Sequence, residues 1–595
     1  MKKIYLAAFL SCSIGWGANA QLNEGGLPWS MRNETLANSA NSISTVKLAR
    51  PDYEGHQKED ELDAITGAAK PYRVAAYVTS NIGLESGKWE YLKDGSKIWK
   101  LALTVPDAKA IGVFYDKFEL PKGVKLFLLN ENGNQILGAY TSNNNSDFGN
   151  FVTEEVQGNI VHLELNIAAG VNVADIKFHI DKVTAYYRGV AELERRFATL
   201  QEGQLARPTG IGDASSCHVN ANCPAGDGEA WAKSKKASVQ ITMGNAVCSG
   251  TMINNTGNTN GGACLPYLLT ASHCEGSNSR EDATYNQWTF RFNFQSATCE
   301  GSSANDGPVS RTGATFKARS NNPSFANNPD GLVTDFLLLQ LKTAPPATSY
   351  LAGWNINTNI AENEDYPRFI SFHHPAGDLK KLAYGEFINA SGEFNQQTIL
   401  NTHWTGYFTV GGSEGGSSGS GFFDHEGLLI GDLSGGIPGG GPCAPMGTEK
   451  LYSKISAAWQ NNFDQTAFPA FAGAQSRLRD WLDPLGTGVS KLQPAMFDCS
   501  DVTSLNDVEK VLDESVILYP NPSTGIVNAK MNFVTGTNLT VSVVNILGST
   551  QKTFNLANVR NGQYTFDLST LAAGVYMVSI ATDNAKIAKR ITIIK

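Results

Sequence analysis

Six of the nine cysteines in this chain fall between Cys217 and Cys299, and a seventh, Cys443, follows them. Whether they are thiols or cross-links depends on the compartment, and the N-terminus speaks to that. Lys2 and Lys3 give a positive start, Ile4 to Leu10 an apolar run, and Ala18-Asn19-Ala20 an A-x-A cleavage site. This pattern predicts a signal peptide over residues 1–20. Export means an oxidising environment, so the cysteines read first as disulfides. Cys12 leaves with the signal and eight remain, too many for spacing alone to choose a connectivity. The cysteine-rich block, about 208–493, reads as one domain, closed by Leu478, Trp481 and Leu482 at helical spacing before Pro484.

The rest of the chain is organised around this block. At 595 residues it has room for several domains. Glycine is abundant, 59 residues, and only 17% of residues are charged, which favours β-rich structure with many turns. The net charge of −9 builds no broad basic surface for nucleic acid. No apolar run after the signal reaches membrane-span length. Residues 21–207 form an N-terminal region whose first part is polar without a core pattern. Trp99, Leu101, Leu103 and Val105 then alternate with Lys100, Ala102 and Thr104, as do Val161, Leu163, Leu165 and Ile167. Asn132-Gly133 is a hairpin signal between Val124–Leu129 and Gln135–Tyr140. A small antiparallel β-sandwich is expected at about 86–188. Arg195-Arg196 and Arg207 lie in a polar stretch suited to proteolytic processing. Residues 494–517 read as a linker, and 518–595 as a third unit of short strands.

Three segments of the middle domain carry chemistry. Leu268-Leu269-Thr270-Ala271-Ser272-His273-Cys274 ends an apolar strand in a histidine. Asp335 heads Phe336-Leu337-Leu338-Leu339-Gln340-Leu341, a strand apolar enough to be buried. Gly415-Gly416-Ser417-Ser418-Gly419-Ser420-Gly421 puts serine in a turn whose backbone can approach a ligand closely. A serine hydroxyl needs a base, which His273 can be. The imidazole needs its tautomer fixed and its charge offset, which a buried Asp335 can do. The N–H groups of Gly416 and Ser418 are candidate oxyanion donors, each worth roughly 3–4 kcal/mol. The order His, Asp, Ser favours a chymotrypsin-like fold.

These segments resemble the lysyl endopeptidase branch of the trypsin-like serine proteases. Thr270-Ala271-Ser272-His273-Cys274, Asp335-Phe336 with the following leucines, and Gly416-Ser417-Ser418-Gly419-Ser420 are similar to its motifs, as are Gly353-Trp354, His373-His374-Pro375 and the stretch from Arg477 to Pro484. The resemblance implies an all-β chain: a double β-barrel protease domain, each barrel of about six strands, with Ser418 as nucleophile and no cofactor. It implies the bridges Cys217–Cys443, Cys223–Cys299 and Cys248–Cys274, leaving Cys264 and Cys499 over. The N-terminal region resembles a β-sandwich pro-region, which implies a zymogen. Ser417 stands where ordinary trypsins carry the aspartate that receives a newly freed N-terminus. Activation is therefore expected by release of the N-terminal region. The tail, from Tyr519-Pro520-Asn521-Pro522 to Lys589–Lys595, resembles a type IX secretion sorting domain of β-sandwich form. That implies the secretion machinery as partner and a secreted or surface-attached protein acting on protein or peptide substrates.

The substrate pocket reads two ways. Ser434, Gly435 and Gly436 look like the strand edge that pairs with substrate. The family's pocket carboxylate falls on Lys450, with Glu449 beside it. Glu449 in the pocket would favour lysine at the cleavage point, whereas Lys450 there would repel it and admit acidic side chains. Two rivals to the endopeptidase stand: a catalytically silent homologue acting as a surface-binding protein, and a serine esterase. His373-His374 point to opposite strand faces and complete no metal set, so no metal is expected. Trp288, Phe290, Phe292 and Phe294 have period two and read as core.

Overall fold

Period-two alternation sets most of this chain in sheets. The computed structural model describes residues 24–32, 43–66, 70–197, 214–260, 265–302, 304, 308–320, 334–358, 360, 368–392, 401–436, 443, 449–460, 473–497, 516–531, 537–545, 549–559, 562–582 and 586–594. The signal segment 1–20, Arg207, Cys264, Cys499 and most of the 494–517 linker lie outside these residues. Ala18–Phe497 forms one compact unit and Asp498–Lys595 another.

The first unit begins with a sandwich. Lys97–Thr104, Ile160–Ile167 and Val124–Asn130 pair antiparallel in one sheet. Ala110–Glu119, Lys177–Tyr186 and Ala75–Gly83 pair in the other. Trp99, Leu101 and Leu163 from the first sheet meet Val113 and Val183 from the second in one core. The sandwich starts before residue 86. Ala75–Gly83 is a full strand, and Ser44–Lys47 adds in parallel to Lys97–Thr104. Their large apolar residues are few, so alternation there is faint, and neighbouring strands supply the burial. The helix Tyr53–Thr66 is rich in charge. Its Asp60 binds Arg73 and Arg188, which anchors residues 72–73.

The middle of the unit holds the two sheets that frame the candidate site. Phe369–His373, Lys381–Gly392, His403–Val410, Glu449–Lys454, Leu429–Gly436 and Gly421–Phe423 pair in succession, and the last returns to the first. This closed barrel surrounds Phe369, Trp404, Phe422 and Tyr452. The other sheet holds Ser238–Met243, Ala246–Ile253, Tyr267–Ala271, Thr289–Phe292, Val309–Thr312, Ala314–Arg319 and Phe336–Leu341, and its strand order is open among the described residues. Beside the closed barrel it forms a half-barrel, in line with the all-β, double-barrel expectation. Val309–Thr312 pairs at one edge and Ala314–Arg319 at the other. Only Gly313, at φ +88°, joins them, so the edges meet through a turn and not a ladder. Phe290 and Phe292 are buried core, with Trp288 and Phe294 buried at the strand's ends. The closing helix is one turn, Arg479–Leu482.

The sandwich and the open sheet are joined. Tyr72–Arg73 pairs antiparallel with Ala246–Val247. Val74, Tyr186, Val190 and Val247 share a small core there. Arg291 meets Glu155 at 2.5 Å across the same junction. The second unit is itself two sheets. Val516–Tyr519, Ile526–Met531 and Gly562–Asp567 form one, and Thr550–Val559, Thr537–Asn545, Gly574–Ala581 and Lys586–Ile593 the other. Val527, Phe566, Val541, Val578 and Ile591 fill the space between.

Candidate active site

The strand Tyr267–Ala271 is buried throughout and pairs with Phe336–Leu341, with Ala271 opposite Phe336. That register sets the residues just beyond the two strand ends side by side. These are His273 and Asp335. His273 Nδ1 donates to Asp335 Oδ2 at 2.7 Å. Asp335 Oδ1 accepts from the His273 N–H at 3.0 Å and the Ser272 hydroxyl at 2.8 Å. The Asp335 N–H donates to Ser453 Oγ at 3.0 Å, tying the open sheet to the closed barrel.

Burial alone would raise the Asp335 carboxyl. The charge of His273 and the hydrogen bonds from His273 and Ser272 outweigh it and hold the group below its ordinary value. Nearby Asp432 is pushed the other way, well above the ordinary carboxylate range, by burial and by the charge of Asp335. Asp335 is therefore the carboxylate that carries charge beside the imidazole. Burial also pushes His403 down to about 4, and its Nε2 meets Ser434 Oγ at 3.2 Å.

Ser418 lies on the loop that leads into Gly421–Phe423. Three contacts hold this loop against the strands Ala246–Ile253 and Leu429–Gly436. The Ser249 N–H donates to Ser418 O at 2.8 Å, the Ser249 hydroxyl donates to Gly416 O at 2.9 Å, and the Gly419 N–H donates to Leu433 O at 2.8 Å. A Cβ on Gly419 would stand 2.1 Å from Thr270 Oγ1 and 2.5 Å from Ser249 O, and its φ is +79°. Only glycine allows this approach. Gly416 has φ +93°. Among the described residues, no hydrogen bond takes the N–H of Gly416 or of Ser418. Ser417 Oγ is held by His373 Nδ1 at 2.7 Å and by the Glu414 N–H at 3.2 Å. His273 Nε2, the atom facing away from Asp335, is buried and makes no hydrogen bond. His273 and Asp335 are joined, and the hydroxyl of Ser418 is not bonded to His273 Nε2. Such bonds often tighten only with substrate bound.

Bridges fasten the same parts. Cys248–Cys274 locks the residue after His273 to the strand that carries Ser249. Cys217–Cys443 and Cys223–Cys299 hold the start of the domain.

The pocket candidates separate. Gly435 and Gly436 are half-buried at the end of Leu429–Gly436. Ser434 is buried against His403. The Tyr407 hydroxyl donates to Glu449 Oε1 at 2.5 Å. Lys450, next in the strand, is buried and reaches toward Gly436.

Residues 211–446 match the family described as lysyl endopeptidase, C-terminal domain, and residues 517–595 match the secretion system C-terminal sorting domain. The middle of the chain resembles the lysyl endopeptidases, and its end is a type IX sorting domain. The lysyl endopeptidase of Pseudomonas aeruginosa is 25% identical over 337 residues, 55% of this chain. The chain spans 62% of that relative's length. Among solved structures, Rv3671c of M. tuberculosis in an inactive form is 13% identical over 40% of this chain and 90% of its own, at a TM-score of 0.22. Deg5 is 12% identical over 38% of this chain and 88% of its own, at 0.22. The sorting domain makes this a secreted or surface-attached protein. No helix among the described residues is long and apolar enough to cross a membrane.

Sequence reasoning passed over a clamp on the histidine loop. Arg319 is fully buried, and its guanidinium donates to Glu275 Oε2 at 2.6 Å and to Ser272 O at 3.1 Å. Glu275 also accepts from the Ser279 N–H at 2.7 Å. Burial alone would raise Glu275. The Ser277, Arg319 and Ser279 hydrogen bonds and the charge of Arg319 hold it below its ordinary value. A depressed folded value contributes stability at pH above the unfolded value and loses it as pH falls through the folded one. The only signal in the sequence was an acidic residue two places after the histidine. Arg319→Met leaves Glu275 buried without its cation and is expected to cost about 3–5 kcal/mol. In Glu275→Gln the acid limb of the stability profile should shift least, and urea midpoints measured across acidic pH check both.

Proposed function

We propose that the middle domain is a serine endopeptidase working through an acyl-enzyme. The His273–Asp335 pair carries this reading. It is a charge-assisted couple, buried between two sheets, beside a loop that presents Ser418 and uncommitted backbone donors.

In this reading substrate brings Ser418 Oγ within bonding reach of His273 Nε2. The imidazole takes the hydroxyl proton as Oγ attacks the scissile carbonyl, and Asp335 offsets the imidazolium. The oxyanion is received by the N–H groups of Gly416 and Ser418. His273 then gives the proton to the leaving amine. Water repeats the sequence on the ester and frees Ser418. No cofactor enters.

We also propose that the full chain is a zymogen. Tyr72–Arg73 occupies the edge of Ala246–Val247, one residue from the bridge behind His273. The Tyr72 ring lies over Gly415, whose Cβ would stand 2.3 Å from it. An extended substrate crossing the loop would meet this strand first. Ser417 is already held by neutral His373, so activation needs no new terminus. The tail engages the type IX machinery. A lysine preference rests on Glu449 entering the pocket. Its carboxylate is engaged by Tyr407, so the preference is not part of this proposal.

Ser418→Ala and His273→Ala should each lower turnover of a peptide substrate by on the order of 10⁶-fold, with little further loss in the double variant. Full additivity would show that the two do not act together. Extending the N-terminus of the processed domain by a few residues should leave kcat/KM within about twofold. A collapse of activity with the fold intact would mean that a free terminus is needed after all.

A further inference from the structure

Among the described residues, a positive charge stands at the candidate substrate-pairing edge without a negative partner. Lys450 stands opposite Gly436 in the ladder between Glu449–Lys454 and Leu429–Gly436. A Cβ on Gly436 would lie 3.0 Å from Lys450 Nζ, so the ammonium sits at the inner side of that glycine. A side chain at 436 would make the ammonium shift by a few tenths of an ångström.

The strand opposite Lys450 is tied to the Ser418 loop. Leu433, three residues before Gly436, is tied to that loop on both sides: the Gly419 N–H donates to Leu433 O at 2.8 Å and the Leu433 N–H to Ser420 O at 2.9 Å. Lys450 thus borders the glycine edge 435–436 of a strand that is itself tied to the loop bearing Ser418.

Among the described residues, the acidic side chains on the strand of Lys450 and on the Ser418 loop are engaged elsewhere. Glu449 accepts from the Tyr407 hydroxyl. Glu414 accepts from the Ser215 N–H at 2.9 Å and the Ser215 hydroxyl at 2.6 Å, with His218 Nε2 at 3.3 Å. The segment 437–448 between the two strands contains no Asp or Glu. Among the described residues Lys450 has no hydrogen bond or ion pair. It is 7% exposed, and burial lowers its proton affinity. A buried ammonium without a counter-ion is costly unless something supplies the opposite charge.

We infer that the substrate supplies it: Lys450 selects peptides with a carboxylate side chain, glutamate or aspartate, at the residue whose carbonyl Ser418 attacks. This rests on the endopeptidase reading and names its substrate class. A bound carboxylate would pair with Nζ, and a bound lysine would meet like charge. The lysyl endopeptidase match ends at residue 446, before this strand.

The test uses the processed protein and one quenched peptide carrying Glu, Asp, Gln, Lys or Arg at the cleavage position. Glu should exceed Gln by at least about tenfold in kcat/KM, and Lys by about a hundredfold. Lys450→Met should erase the preference for Glu over Gln, read as the ratio of kcat/KM for the two peptides in the same preparation. Lys450→Asp should turn the preference to Lys and Arg. A peptide aldehyde ending in Glu should bind the wild type more tightly than one ending in Gln, and equally in Lys450→Met, which reads the pocket without turnover. Cleavage after Lys in preference to Glu would overturn this inference and leave the endopeptidase reading standing. Hydrolysis of none of the peptides, with no aldehyde binding, would overturn both.

Discussion

The hydrogen bond between His273 Nδ1 and Asp335 Oδ2 is the constraint on which the rest of the site depends. It exists because two apolar strands, Tyr267–Ala271 and Phe336–Leu341, pair in one register. A slip of one residue would turn both sets of side chains to the opposite face. Burial strengthens the couple and makes it demanding. A carboxylate in that setting must have every lone pair directed, and Ser272, the His273 backbone and the imidazole meet that need. Burial and the charge of Asp335 push the proton affinity of nearby Asp432 up, which disfavours a second negative charge there.

Around the couple, the fold works by fastening loops. The Cys248–Cys274 bridge and the Arg319–Glu275 pair hold the histidine loop from two sides. Ser249 reaches the serine loop through its backbone and its hydroxyl, joining the open sheet to a loop that leads into the closed barrel. Glu414, at the start of that loop, binds Ser215 near the beginning of the domain. These contacts are present with the N-terminal region attached. The geometry therefore fits a site assembled beforehand and covered by Tyr72–Arg73, and not one that must be built on processing.

Much of this was legible in the residues. The strand runs before His273 and after Asp335 are nearly all apolar, and such runs announce burial. Glycine at 416 and 419 announced a turn of unusual backbone, and both take positive φ. Asn132-Gly133 announced its hairpin. What stayed hidden depended on distant pairing. Arg319 ends an ordinary strand, and nothing local says that it turns inward to Glu275. Ala75–Gly83 is too sparse in large apolar residues to declare itself before its partner strand is known. Lys450 and Glu449 are neighbours in a strand, so their side chains must part to opposite faces. Only the approach of Lys450 Nζ to the Gly436 position says which of them turns toward the glycine edge.

The account stands on Ser418 being a nucleophile activated by its surroundings, and direct chemical capture asks that most plainly. The processed protein should react with a fluorophosphonate, and peptide mapping should place the adduct on Ser418. His273→Ala should abolish the labelling while the fold persists. Labelling elsewhere, or none at all in a folded and processed protein, would contradict the account.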